Sequence, residues 1–308
     1  MPNTKDIKNR IEGISGTWKI TNAMYLISST KLQKARQALE RTRPFFEMQE
    51  HEIKRIFQTE SDVNSHYFYP KTGRKPAETY AYLVITADKG LAGAYNFNVL
   101  RRAEAEMKKH KHVKLYVVGA YGRKYFAKRG IGIEQSFIYT AQNPTFRRAR
   151  QICATLLSEY DNGRVDEIRV IYSDMKNELT TSVKMVRLLP FERKVFLTPQ
   201  EQKNEVDVHY RFYPSVSEVI DRCMPGYISG FIYGALIDSF SVEQNMRMMA
   251  MNSANKNAEA LIEKLQMQYN RLRQAAITQE ITEVTAGARA QKKKRREAIK
   301  RRKKVEDR

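Results

Sequence analysis

The sequence predicts an α/β protein: a globular sheet domain inserted between two long terminal helices that pair as an antiparallel coiled coil. Three observations carry this reading. Tyr227 to Gly287 contains no proline, and Ala235 to Ala286 contains no glycine, so nothing stops a helix there. Every seventh residue from Ile11 is apolar or aromatic through Trp18, Tyr25, Leu32, Leu39, Phe46 and Ile53. Between these two stretches, β-branched and aromatic runs alternate with segments of helical periodicity.

Taken in order, Thr4 to Phe57 is the first helix, roughly 80 Å long at 1.5 Å per residue, with Pro44 as a possible bend. Its companion row is Ile7, Ile14, Thr21, Ser28, Ala35, Thr42, Gln49 and Ile56, whose small and polar middle permits close backbone approach. Ser61 to Glu78 is loop, punctuated by Pro70, Gly73 and Pro76. Strands are expected at Thr79 to Thr86, Val113 to Val118, Ile133 to Tyr139, Glu167 to Tyr172 and Thr181 to Leu189. Helices are expected at Asn98 to Lys109 and Thr145 to Tyr160. Such alternation indicates a Rossmann-like α/β domain, at least partly parallel, and the closely spaced last two strands imply an antiparallel edge. Pro190 to Pro214 reads as irregular, and Ser215 to Met224 as a short helix ended by Pro225 and Gly226.

The second long helix would span roughly 90 Å, too long for one compact core to cover. Met251, Ala258, Leu265 and Leu272 form one row of its seam, with Ala254, Leu261, Gln268 and Ala275 three residues further on. Close ends on the inserted domain make antiparallel pairing with the first helix the simplest solution. The expected divisions are 1–60 for the first helix, 61–214 for the α/β domain, 215–288 for the second helix and 289–308 for a basic extension.

Charge sets the extension apart. The net charge is +21, of which Arg289 to Arg308 supplies +9. A basic balance favours acidic partners without choosing among nucleic acid, an anionic membrane surface and an acidic protein. The runs at Lys292 to Arg296 and Lys300 to Lys304 resemble nucleic-acid-binding arms but have no interleaved stacking aromatics and no base-reading motif, so they read as a solvated or helix-extending tail. No apolar run is long enough to cross a bilayer, and Met1 to Arg10 resembles neither a signal peptide nor a transit peptide. A soluble chain retained where it is made is expected. Its two cysteines, Cys153 and Cys223, suit a reducing compartment.

Chemistry-bearing motifs are scarce. TADKGLAGAYN, Thr86 to Asn96, follows a strand, but Lys89 precedes Gly90 and no Ser or Thr follows, so the P-loop pattern fails and a structural turn is expected. His110 and His112 have no ligand partners at metal-site spacing and read as solvated. Asp238 and Glu243 read as ordinary helix surface, and Cys153 has no identifiable base. Four methionines, Met246, Met248, Met249 and Met251, cover more than one helix face. Met251 belongs to the core, and some of the others must face outward as a soft, adaptable surface.

Four segments then carry a family resemblance. WKITNAMYLISSTKLQKA (Trp18 to Ala35), ITADKGLAGAYN (Ile85 to Asn96), MRMMAMNSANKNAEALIEKLQMQYN (Met246 to Asn270) and RQAAITQEITEVTAGA (Arg273 to Ala288) closely resemble the γ subunit family of F-type ATP synthases. The resemblance implies a central rotor shaft without nucleotide, cofactor or chemistry of its own. Its coiled coil would turn inside a ring of alternating α and β subunits, and its α/β domain would sit near the membrane ring of c subunits and the ε subunit. It also implies that Lys19, Met24, Arg247, Arg273, Gln274, Thr278 and Glu280 serve contact or coupling with the catalytic ring. Tyr210, Phe212 and Tyr213 are its candidates for the foot on the membrane ring. Without a transit peptide, the expected setting is the cytoplasmic face of a bacterial inner membrane.

Two departures stand out. Ala92, Gly93 and Ala94 replace the family's usual Cys-Gly-Gly, and the tail continues beyond Ala288, where many members stop. No inserted cysteine pair like the chloroplast redox switch is present, so thiol regulation is not expected. A basic coiled-coil protein that binds nucleic acid, and an α/β enzyme with helical dimerisation arms, are the alternatives at this stage.

Overall fold

A computed structural model describes residues 4–59, 63, 65–69, 77–175, 181–192, 195–196 and 211–306, with side chains up to residue 295 in the last helix. The elements are α1 (Thr4–Thr59), β1 (Thr79–Ile85), α2 (Tyr95–Met107), β2 (His112–Val118), α3 (Ala120–Lys128), α4 (Phe146–Asp161), β3 (Glu167–Met175), β4 (Thr181–Leu189) and α5 (Val216–Glu306). The chain divides into two compact units. One is Met1–Ala23 with Met251–Arg308, and the other is Met24–Ala250.

Met24–Ala250 holds the sheet, in the order β2-β1-β3-β4. β1 pairs in parallel with β2 and β3, and β4 runs antiparallel to β3 at the edge, as the short link between the last two strands implies. The strands have helices on both faces, so their side chains alternate between two cores. Ala81, Leu83 and Ile85 join a cluster with Ile152 and Leu156 of α4, Ile53 of α1 and Ile228, Ile232 and Leu236 of α5. Tyr82 and Val84 point the other way, into a cluster with Val99, Leu100 and Ala103 of α2 and Phe126 of α3.

Several sequence expectations are corrected here. Ile133 to Tyr139 is not a strand: it touches β2 through Glu134 N–H to Leu115 O at 2.9 Å and one bridge between Val118 and Tyr139. Its apolar content serves the core instead, because Phe137 is buried against Tyr116. The unexpected α3 is short and contains Gly122. A Cβ there would lie 2.5 Å from Thr86 Oγ1, so only glycine lets this helix approach the end of β1.

The short helix ended by Pro225 does not form as a separate element, since α5 runs through Pro225. An internal proline costs ~3 kcal/mol in helix propensity. Met224, Ile228 and Ile232 around it are all fully buried, and burying such side chains contributes ~1.5–3 kcal/mol each, which outweighs that cost. In the same stretch α1 and α5 approach closely. A Cβ on Gly230 would fall 2.3 Å from the Phe46 ring, and one on Gly226 would fall 2.8 Å from Gln49 Nε2. Rising numbers on α1 meet falling numbers on α5, so the pair is antiparallel.

The unit formed by Met1–Ala23 and Met251–Arg308 is also an antiparallel pair. Trp18 Nε1 donates to Glu259 Oε1 at 3.0 Å, while Thr21 and Asn22 meet Asn255. Here Ile7 is buried and Ile11, Ile14, Trp18 and Thr21 are half-buried, as both rows of α1 require. On α5, Met251, Ala258 and Leu265 are buried and Leu272 half-buried, but the companion row is corrected. Ala254 is half-buried, whereas Leu261, Gln268 and Ala275 are exposed. The seam instead takes Asn255, Ile262 and Tyr269, four residues after Met251, Ala258 and Leu265. Polar Asn255 in that row hides it from a reading by hydrophobicity.

Candidate functional site

Beyond Leu272 every described side chain of α5 is exposed. Ile277, Ile281 and Val284 nevertheless recur at helical spacing and share one face. Arg273, Gln274, Thr278 and Glu280 lie in this exposed stretch, and the Thr278 hydroxyl donates back to Gln274 O at 2.9 Å. An apolar stripe on one helix face is the pattern of a surface that packs against another element. On α1 of the same unit, Lys19 is exposed and Ile20 projects outward beside it. The helix continues without a break to Glu306 through the basic extension.

In the larger unit, Met24 is half-buried. The methionine group divides as its spacing implies. Met246 packs 3.4 Å from where a Cβ of Gly93 would stand, and Met249 is exposed. Arg247 differs from the other sequence candidates, because its guanidinium is engaged inside the chain. It is 7% exposed, bridges Glu243 at 2.8 Å and donates to Gly90 O at 3.0 Å. Glu243 is 0% exposed and so is not helix surface. Burial pushes its carboxyl pKa up, and Arg247 opposes that shift.

Asp238 is half-buried and so is not ordinary helix surface either. Burial, and then the nearby charge of Asp174, push its carboxyl up to about 6. A helix window shows only its own face, and the burial of both acids comes from β3, β4 and the loop after β1. His110 is likewise not simply solvated. Its ring stacks on Tyr80 with centroids 3.6 Å apart, and burial and Arg169 lower its pKa.

The segment after β1 is the structural turn that its failed P-loop pattern implies. Leu91 and Gly93 take positive φ of 61° and 53°, and Asn96 Oδ1 accepts from Ala87 N at 3.0 Å. Asp88 is its hub: one carboxylate oxygen accepts from Ala120 N at 2.9 Å, capping α3, and the other accepts from Ala141 N at 3.0 Å and Gln142 N at 3.2 Å.

Of the foot candidates, Phe212 packs against the core and Tyr213 is 92% exposed, while Tyr210 lies outside the described residues. Cys153 is buried, and burial raises its thiol to about 11, far from a reactive thiolate. Among the described residues no His, Cys, Asp and Glu group is arranged to hold a metal, and no helix is long and apolar enough to cross a membrane.

A family profile described as "ATP synthase" matches residues 3–291. The ATP synthase gamma chain of Caldanaerobacter subterraneus subsp. tengcongensis is 42% identical over 292 residues, covering 92% of this chain and 98% of that one. The chain belongs to the ATP synthase gamma-chain family. A second family member, from Acetobacterium woodii and named as sodium ion specific, is 34% identical over 94% of this chain and 98% of its own. The family's fold is shared more widely. A chain of the Euglena gracilis mitochondrial ATP synthase superposes with a TM-score of 0.61 at 17% identity, covering 93% of this chain and 94% of that one. A chain of the central stalk and c-ring structure from Tetrahymena thermophila gives 0.58 at 24% identity, covering 76% and 99%.

Proposed function

We propose that this chain is the central shaft of a rotary ATP synthase and performs no chemistry itself. The observation that carries the reading is the exposed stretch of α5 after Leu272, whose Ile277, Ile281 and Val284 stripe has no cover among the described residues. A sleeve of other subunits supplies that cover. The α and β subunits of the catalytic ring surround the helices, and the α/β domain meets the ε subunit and the ring of c subunits. Ion flow turns the c ring and the shaft together, and the shaft's angle sets the nucleotide affinity of each β site in turn.

A rotating shaft biases each β subunit only through contacts that differ between angles. Arg273, Gln274, Thr278 and Glu280, with Lys19 and Met24 on α1, supply polar and soft contacts of that kind. Apolar stripes are non-directional and let the shaft slide between stops. Arg247 acts from inside the chain. Tyr213, with Tyr210 and Phe212, belongs to the foot. The divisions 1–60, 61–214, 215–288 and 289–308 then correspond to shaft helix, foot domain, shaft helix and extension. The complex lies on the cytoplasmic face of a bacterial inner membrane, which this chain joins only through its partners.

Purification of the tagged chain from its native membranes tests the reading. Catalytic α and β chains in stoichiometric amount are expected. Their absence, together with strongly salt-dependent DNA binding or with ATP turnover by the isolated chain, would overturn it.

A further inference from the structure

A connected set of polar groups, with Glu243 and Arg247 buried and Lys31, Asp88 and Gln142 half-buried, ties both long helices to the α/β domain within Met24–Ala250. Gln142, in the segment leading to α4, is its junction. Lys31 Nζ of α1 donates to Gln142 Oε1 at 3.1 Å, and Gln142 Nε2 donates to Glu243 Oε1 of α5 at 3.4 Å. The Gln142 backbone is fixed from both ends, by N–H donation to Asp88 at 3.2 Å and by Arg148 Nη1 donation to its carbonyl at 2.8 Å. From Glu243 the set continues through Arg247 to Gly90 O, in the same turn that Asp88 organises. Glu243 Oε2 has no hydrogen-bond partner among the described residues, so the charge on this carboxylate depends on Arg247.

A helix packed on a sheet by apolar side chains alone resists separation but resists rotation about its own axis weakly, because apolar contacts are non-directional. Buried charge-assisted hydrogen bonds are directional, and in a low dielectric they are stiff and costly to leave unmade. Their position fits this purpose. Glu243 and Arg247 are one helical turn apart, and together they reach Gln142, just before α4, and Gly90, just after β1.

We propose that the Glu243–Arg247 pair, with Gln142, is a torque-bearing clamp that locks the α/β domain to the shaft helices. The proposal rests on the shaft reading, in which torque enters through the foot domain. Neither residue touches substrate, so both are positioning residues. A weakened clamp leaves the catalytic ring intact and makes the shaft yield under load.

The test uses the assembled complex in membrane vesicles, comparing the native chain with Glu243→Gln and Glu243→Asp. ATP hydrolysis is measured with the membrane uncoupled and again against an opposing ion gradient, together with ions pumped per ATP. For Glu243→Gln the expected result is uncoupled hydrolysis within about twofold of native, with pumping per ATP reduced at least about threefold and the deficit widening as the gradient rises. Glu243→Asp, which retains the charge, should recover at least half of the loss. Unchanged pumping per ATP at every gradient, or hydrolysis and pumping falling in equal proportion, would overturn the clamp. Should Glu243→Gln fail to assemble, the same comparison on Gln142→Leu, which removes the junction and leaves the ion pair, decides: a load-dependent deficit supports the clamp and native coupling refutes it. Failure of the native chain to assemble with α and β subunits would instead refute the shaft reading.

Discussion

Asp238 of α5 shows how far the setting of one side chain departs from its sequence neighbourhood. Its carboxyl is pushed up to about 6 by burial and by Asp174, and only partly drawn back by Lys184. The folded value lies above the unfolded value of about 3.9. The folded chain therefore holds this proton more tightly. The stabilisation is fully present below the unfolded pKa and is lost as pH rises through about 6. Asp238→Asn removes the ionisation. Its melting temperature in the isolated chain should exceed the native one by about 2–4 °C near pH 7.5, for a gain of ~1 kcal/mol, and match it near pH 4. An equal melting temperature at both pH values would show that the site is not desolvated. Glu243 escaped a sequence reading for the same reason as Asp238: the groups that bury it lie far off in the chain. Arg247 was singled out only by family resemblance, and nothing in its own helix announces that Gly90 receives its hydrogen bond.

Among the elements, those with strong local periodicity were legible and those defined by distant partners were not. The α1 rows hold because a strict seven-residue repeat can bury only one face of a helix. α3 was missed because its N-terminus is capped by Asp88, 32 residues earlier in the sequence, and its glycine is required by Thr86 on another element. Pro225 reads as a stop locally, but the buried Met224, Ile228 and Ile232 override it. The α5 seam is the most testable correction. Leu265 is 8% exposed and Leu261 is 48% exposed, although both belong to apolar rows in the sequence. In the isolated full-length chain, Leu265→Ala should cost ~2–3 kcal/mol in chemical denaturation of its unit, and Leu261→Ala no more than ~0.5 kcal/mol. Equal costs would restore the row that spaces Leu261 three residues after Ala258. Asn255, which meets Thr21 and Asn22 in this seam, fixes register in the manner of polar residues in coiled-coil cores.

For the whole molecule, the insertion of a sheet domain between two mutually paired helices follows from periodicity, length and the absence of breakers, all of which are local and additive. What the exposed part of α5 is for does not follow from periodicity, because its stripe of Ile277, Ile281 and Val284 is exposed among the described residues and its partner is not written in its own pattern. The basic extension continues the same helix to Glu306, so it lengthens the rod and does not fold back as a separate domain. The central claim is that this rod turns. Ile138, an exposed position on the α/β domain, accepts a substitution to cysteine for attaching a bead, with the catalytic ring fixed to glass. On addition of ATP the account predicts sustained rotation in one direction with discrete pauses. A bead that stays fixed while the same complexes hydrolyse ATP would contradict it.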